Sequence, residues 1–140
     1  MSVRHVEVED VLFCVVFGIL EMNKVKRLAK QQLRRKHRVR NKLKSGARVR
    51  LSVFRSNLYF RCQAIDDKAG NTVASAWSGE LSSESDTPKG CAAAARVGRL
   101  IAERLLAAGI TAACLDRGEY RYHGRVKAFA EGARGAGLEL

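Results

Sequence analysis

From Met22 to Arg55 the chain carries fourteen Lys or Arg residues and not one Asp or Glu. No fold can bury such a stretch, because each buried charge would need an opposite partner and the stretch supplies none. In free solution it repels itself. It suits an interaction arm that orders against a polyanion, whose condensed counterions leave as Lys and Arg replace them. The flanks are close to balance: residues 1–21 set Arg4 against Glu7, Glu9, Asp10 and Glu21, and residues 56–140 set 11 cations against 10 acids. The net charge of +12 and the pI near 10.2 therefore come from one segment. They point to nucleic acid or an anionic membrane surface as partner. With 140 residues, 46% of them apolar, the chain has material for one domain with a real core.

A membrane reading fails on detail. Residues 22–53 contain no aromatic residue to anchor an amphipathic helix. Val11–Leu20 (VLFCVVFGIL) is too short to span a bilayer, and Glu7, Glu9 and Asp10 stand where a signal peptide would be positive. Composition changes abruptly at Met22. The expected organisation is an extra segment over 1–21 with Met22 as functional start, a basic arm over 22–46, and a globular domain over 47–140. Cys14, Cys62, Cys91 and Cys114 form no CxxC pair, and no His falls at zinc spacing. Reduced thiols in a cytosolic setting fit best.

Periodicity orders the elements. Lys24–Lys44 is weakly helical, with Val25, Leu28 and Gln32 on one side, and is expected to become helical on RNA; Ser45-Gly46 ends it. Arg50–Phe54 and Leu58–Ile65 alternate around the Arg55-Ser56-Asn57 turn and read as a hairpin. Thr72–Trp77 adds a third strand. Thr87-Pro88 reads as the start of a helix whose buried face is Ala94, Val97, Ile101, Leu105 and Ala108, stopped by Gly109. Ile110–Leu115 is apolar throughout, as in a strand covered on both faces, and the crossover lays it parallel to a neighbour. A last helix runs from about Gly124 to Ala136, with Val126, Phe129, Ala130 and Ala133 inward. The order is βββαβα: an α/β fold with a mixed sheet.

Asp116–Lys127 (DRGEYRYHGRVK) concentrates four cations, two tyrosines and a histidine at a loop and the first turn of that helix. Tyrosines stack on unpaired bases, arginines pair with phosphates, and a helix N-terminus offers N–H groups. Arg50–Asn57, Gln63–Asp67, Asp116-Arg117-Gly118, Tyr120–Ala128, Ala133-Arg134 and Ala136–Glu139 together resemble the large-subunit ribosomal protein L-eighteen family of bacterial type, from about residue 24 to the end. The resemblance implies a ribonuclease-H-like three-layer motif without catalytic activity or cofactor. It implies a component of a cytoplasmic ribosome rather than an organellar one. Its partners would be 5S rRNA and the large rRNA in the central protuberance, beside ribosomal protein L-five.

Carried onto this chain, the arm residues Lys24, Lys26, Arg27, Lys30, Arg34, Arg35, Lys36, Arg38, Arg40, Lys42 and Lys44 would meet RNA. So would Arg55, Ser56 and Asn57 at the hairpin turn, and Arg117, Tyr120, Tyr122, His123, Arg125 and Lys127 beyond the fourth strand. The chain departs from the family at residues 1–21, which have no counterpart. Glu119 stands where a small or neutral residue is usual, and Trp77 where something smaller is usual. The competing reading is a Mg-dependent ribonuclease-H-like enzyme. It would need Asp116 to converge on a metal with Asp66, Asp67 or Glu80; Asp116 instead reads as a cap for the Arg117 loop.

Overall fold

The computed structural model describes residues 8–43, 48–81 and 90–140. The chain divides into two compact units between Arg35 and Lys36. Helix α1 runs Val8–Leu43, 36 residues long. It passes through Met22 without a break, so the change in composition there is not a change in secondary structure. The reason is local: residues 21–43 contain neither Gly nor Pro and are dominated by Lys, Arg, Leu and Gln, all strong helix formers. The expected stop at Ser45-Gly46 lies outside the described residues. Within the first unit every residue from 22 to 35 is exposed, Val25, Leu28 and Leu33 included. Those apolar residues share one side of the helix and none of them is buried.

The second unit is built on a four-stranded sheet in the order β3-β2-β1-β4. Strands β1 (Val49–Arg55) and β2 (Phe60–Asp66) pair antiparallel, as do β2 and β3 (Asn71–Trp77). Strand β4 (Ala113–Asp116) lies parallel to β1, as the crossover reading requires. Leu58, expected in β2, is half exposed, because that strand begins only at Phe60. Strand β4 is also shorter than its apolar run suggests and sits at the sheet edge. Its first pairing beyond the sheet is a bridge between Ala112 and Glu139. A bulge at Ala64/Ile65 leaves Val73 out of register in β3.

Helices α2 (Cys91–Ala107) and α3 (Arg125–Gly135) contribute to the same core as the inward face of the sheet. Alternation supplies Leu51, Val53, Phe60, Cys62, Ala64 and Ala76 from the strands; three-four spacing supplies Val97, Ile101, Leu105, Val126, Phe129 and Ala133. The rings of Phe60 and Phe129 meet at 5.3 Å and join the sheet to α3. The two helices approach backbone to backbone. A Cβ on Gly98 would lie 2.2 Å from the Phe129 carbonyl oxygen, and one on Gly132 would lie 2.3 Å from that of Ala95. Helix α2 starts at Cys91 after Gly90, later than Thr87-Pro88, which lies outside the described residues. Both helices end in the same cap. The N–H of Ile110 reaches back to Leu105, and that of Leu138 to Ala133, over Gly109 and Gly137 in left-handed conformation.

Candidate nucleic-acid interface

Arg50, Ser52 and Phe54 on β1, with Arg61 and Gln63 on β2, point away from the core by simple alternation. The last residues of α1, from Lys36 on, belong to this unit and reach the same face. Asp116, at the end of β4, is buried with 1% of its side chain exposed. Its Oδ2 accepts from Arg40 Nε at 3.1 Å and Arg50 Nη1 at 3.0 Å, and its Oδ1 accepts the N–H of Gly118 at 3.0 Å. Arg50 also forks onto Asp67 through Nε at 2.8 Å and Nη2 at 2.7 Å. Those bonds to Asp67 raise the Arg50 pKa despite desolvation, and the guanidinium in turn holds the Asp67 carboxyl below its ordinary value. Burial pushes the Cys62 and Cys114 thiols above their ordinary value.

These contacts give each candidate metal ligand another partner. Asp116 faces two guanidinium groups and Asp67 faces one. Glu80 accepts from Arg104 Nη2 at 2.7 Å, and Asp66 caps the N–H groups of Lys68 and Ala69. The carboxylates that a two-metal nuclease would need are each committed elsewhere. Asp116 orients the Arg117 loop, the role expected of it.

The β1–β2 turn and the β4–α3 loop come together at one end of the sheet. Tyr120 Oη accepts the N–H of Arg55 and donates to its carbonyl, both at 3.3 Å, and the Arg55 guanidinium lies 5.4 Å from the Tyr120 ring centre. Arg125 Nη1 donates to the Ser56 carbonyl at 3.1 Å, and Arg117 Nη1 to that of Tyr120 at 2.5 Å. Ser56 closes its own turn by accepting the N–H of Tyr59 at 2.8 Å. Arg55, Ser56, Arg117, Tyr120 and Arg125 thus form one cluster. Asn57, Tyr122, His123 and Lys127 are exposed beside it, Tyr122 accepting from Arg134 at 3.0 Å and Lys127 pairing with Glu131 at 3.6 Å.

Of the arm residues, Lys24, Lys26, Arg27, Lys30, Arg34 and Arg35 lie exposed on α1 in the first unit. Lys36, Arg38, Arg40 and Lys42 lie on its continuation in the second. Lys44 is outside the described residues. At 100° per residue the six cations of the first unit fall within one half of the helix circumference, opposite Val25, so their charge forms a face. A groove of about 460 Å³ opens where Lys36 and Arg40 pass Phe54, Arg61, Gln63, Glu119 and Tyr120. Phe54, Arg61 and Gln63 escaped the sequence reading as site residues. Their alternation was visible, but which strand lies beside which was needed to see them as neighbours.

An α/β body carrying a helix of surplus cations has the build of a polyanion-binding protein. Over residues 25–140 the chain matches the family described as ribosomal L18 of archaea, bacteria, mitochondria and chloroplast. It is 46% identical over 122 residues to the large ribosomal subunit protein uL18 of Rhodopirellula baltica, covering 85% of this chain and 100% of the relative. With the uL18 of Thermus thermophilus it shares 52% over 107 residues, 76% of this chain and 93% of that one. With that of Methylobacterium radiotolerans it shares 54% over 111 residues, 76% and 92%. The chain belongs to the ribosomal L18 family. No helix among the described residues is long and apolar enough to cross a membrane.

Proposed function

We propose that this protein is a structural constituent of the large ribosomal subunit that binds 5S rRNA and helps attach it to the large rRNA in the central protuberance, beside ribosomal protein L-five. The observation that carries the reading is the row of cations on α1, which meets no matching acid on its own helix from Met22 to Leu43. Only a polyphosphate supplies negative charge at that density. Family membership supports the ribosomal setting, and the relatives are named as large-subunit proteins. The cluster of Arg55, Ser56, Asn57, Arg117, Tyr120, Tyr122, His123, Arg125 and Lys127 would form a second contact on the body. On this reading the sheet with its helices is a ribonuclease-H-like three-layer motif without its chemistry, working in a cytoplasmic ribosome.

The test is a titration of 5S rRNA with the full chain at several potassium chloride concentrations. Stoichiometric binding that weakens steeply with salt is expected, together with recovery of the chain in salt-washed large subunits. Binding indifferent to salt, or absence from those particles, overturns the reading.

A further inference from the structure

We propose that the outward face of the sheet is a stacking platform for unpaired RNA nucleotides, with Phe54 and Trp77 as its two aromatic supports and Arg61 between them. The proposal rests on the RNA-binding reading above and deepens it. Pairing register places the three residues in one row across three strands: Phe54 opposite Arg61 on β1 and β2, and Arg61 opposite Trp77 on β2 and β3. Their sequence neighbours Val53, Phe60, Cys62 and Ala76 are buried, so the row faces outward. Phe54 is 60% exposed and Trp77 36%.

Exposed aromatics alone would say little; what surrounds them says more. The Trp77 ring is held in place, with Tyr59 edge-on at 5.3 Å and the backbone of Gly79 against it, where a Cβ would come within 2.2 Å of the ring. A fixed ring loses little entropy when a base stacks on it. The Arg61 side chain makes no hydrogen bond or ion pair with another described residue. Two strand spacings separate Phe54 from Trp77, roughly 10 Å, which leaves room for two splayed bases with the guanidinium between them. Beside Phe54 the groove continues to Lys36 and Arg40, which supply positive charge for the backbone of the same strand. Glu119 lines the same groove, and Glu80 is paired with Arg104.

The central arginine argues against an apolar occupant. An apolar partner surface laid across Phe54 and Trp77 would desolvate Arg61 without compensating its charge. A single-stranded RNA offers a π-face to each ring and a phosphate to the arginine, and a duplex hides its base faces.

Trp77 is the only tryptophan in the chain, so its fluorescence reports on this row alone. The full chain is titrated with a short single-stranded RNA and with a duplex of equal length. The single strand is expected to quench Trp77 saturably and the duplex much less. Phe54→Leu should weaken the single-strand affinity roughly five- to a hundredfold, and Phe54→Tyr should restore it. Phe54 is exposed, so neither variant disturbs the core. Equal quenching by both RNAs, or single-strand affinity unchanged in Phe54→Leu, overturns the platform and leaves the face to another partner. Either result leaves salt-sensitive binding of 5S rRNA through α1 standing. Loss of that salt sensitivity would instead sink the RNA-binding reading itself.

Discussion

Lys26, Arg27, Lys30, Arg34, Arg35 and Arg38 stand along α1 with no ion pair to another described residue, whereas Arg40, Arg50, Arg104, Arg117, Arg125 and Arg134 each donate to a named oxygen of the body. The residue type is nearly the same in the two regions, and its task is different. A guanidinium bonded to an internal carboxylate or carbonyl is part of the fold, so its loss leaves a desolvated oxygen without a donor. A guanidinium bonded to nothing contributes little to folding, and its loss is felt only when a ligand arrives. Net charge alone cannot separate these two populations. Hydrogen-bond partners can.

The comparison breaks most visibly in RNA affinity. Changing Lys26, Arg27, Lys30, Arg34, Arg35 and Arg38 together to Gln keeps helix propensity and removes six charges. If each meets a phosphate, the slope of log affinity against log salt should fall by about four to five. Urea unfolding of the body should not move, because none of the six bonds to another described residue. An unchanged slope would show that the free cations of α1 are not the RNA contact.

The converse experiment removes a carboxylate from the body. Asp116→Ala leaves Arg40 and Arg50 facing a site that is almost wholly buried, and frees the N–H of Gly118. A destabilisation of about 2–3 kcal/mol is expected in urea unfolding, since one desolvated carboxylate serves three donors. Wild-type stability in Asp116→Ala would mean that this network is surface decoration. Gly132→Ala probes the body without touching charge. Its Cβ would lie 2.3 Å from the Ala95 carbonyl oxygen, so α2 and α3 must separate, at a cost of about 1–3 kcal/mol. The salt slope of RNA binding should stay as it is. Were Gly132→Ala to fold as well as the wild type, the close helix crossing would be wrong.

Much of this molecule was legible in its sequence because local rules set it. Alternation in Arg50–Phe54 and three-four spacing from Ala94 to Leu105 named the inward faces, and Gly109 marked a helix end, although Ala108, expected on the same buried face, is exposed. What the sequence hid depends on neighbours distant along the chain. Gly98 and Gly132 look like helix-weakening residues until the two helices are seen crossing at them. Asp116 reads in the sequence as a metal ligand or a cap; in the fold it accepts from three donors, on residues 40, 50 and 118. Phe54 and Trp77 are 23 positions apart in the chain and become neighbours of Arg61 only through strand register. The helix start was misplaced for a different reason. Thr87-Pro88 is a strong local signal, yet the helix begins at Cys91, beyond Gly90 at a φ of 100°.

Asp67 stands between the two regions and makes the finest test. It is bonded like a body residue, by a two-pronged contact with Arg50, but its side chain is 59% exposed like those of the arm. Its folded pKa lies below the ordinary value because Arg50 stabilises the carboxylate. The pair's contribution is therefore complete above the unfolded pKa, near 3.9, and is lost as pH falls through the lowered folded value. A carboxyl carbon NMR titration should place the Asp67 midpoint below about 3.9, and added salt should move it back toward that figure, since solvent reaches the pair. A midpoint at or above the ordinary value would show the Arg50 fork broken in solution. A lowered midpoint deaf to salt would show Asp67 more enclosed than its exposure implies, and would move it wholly to the side of the body.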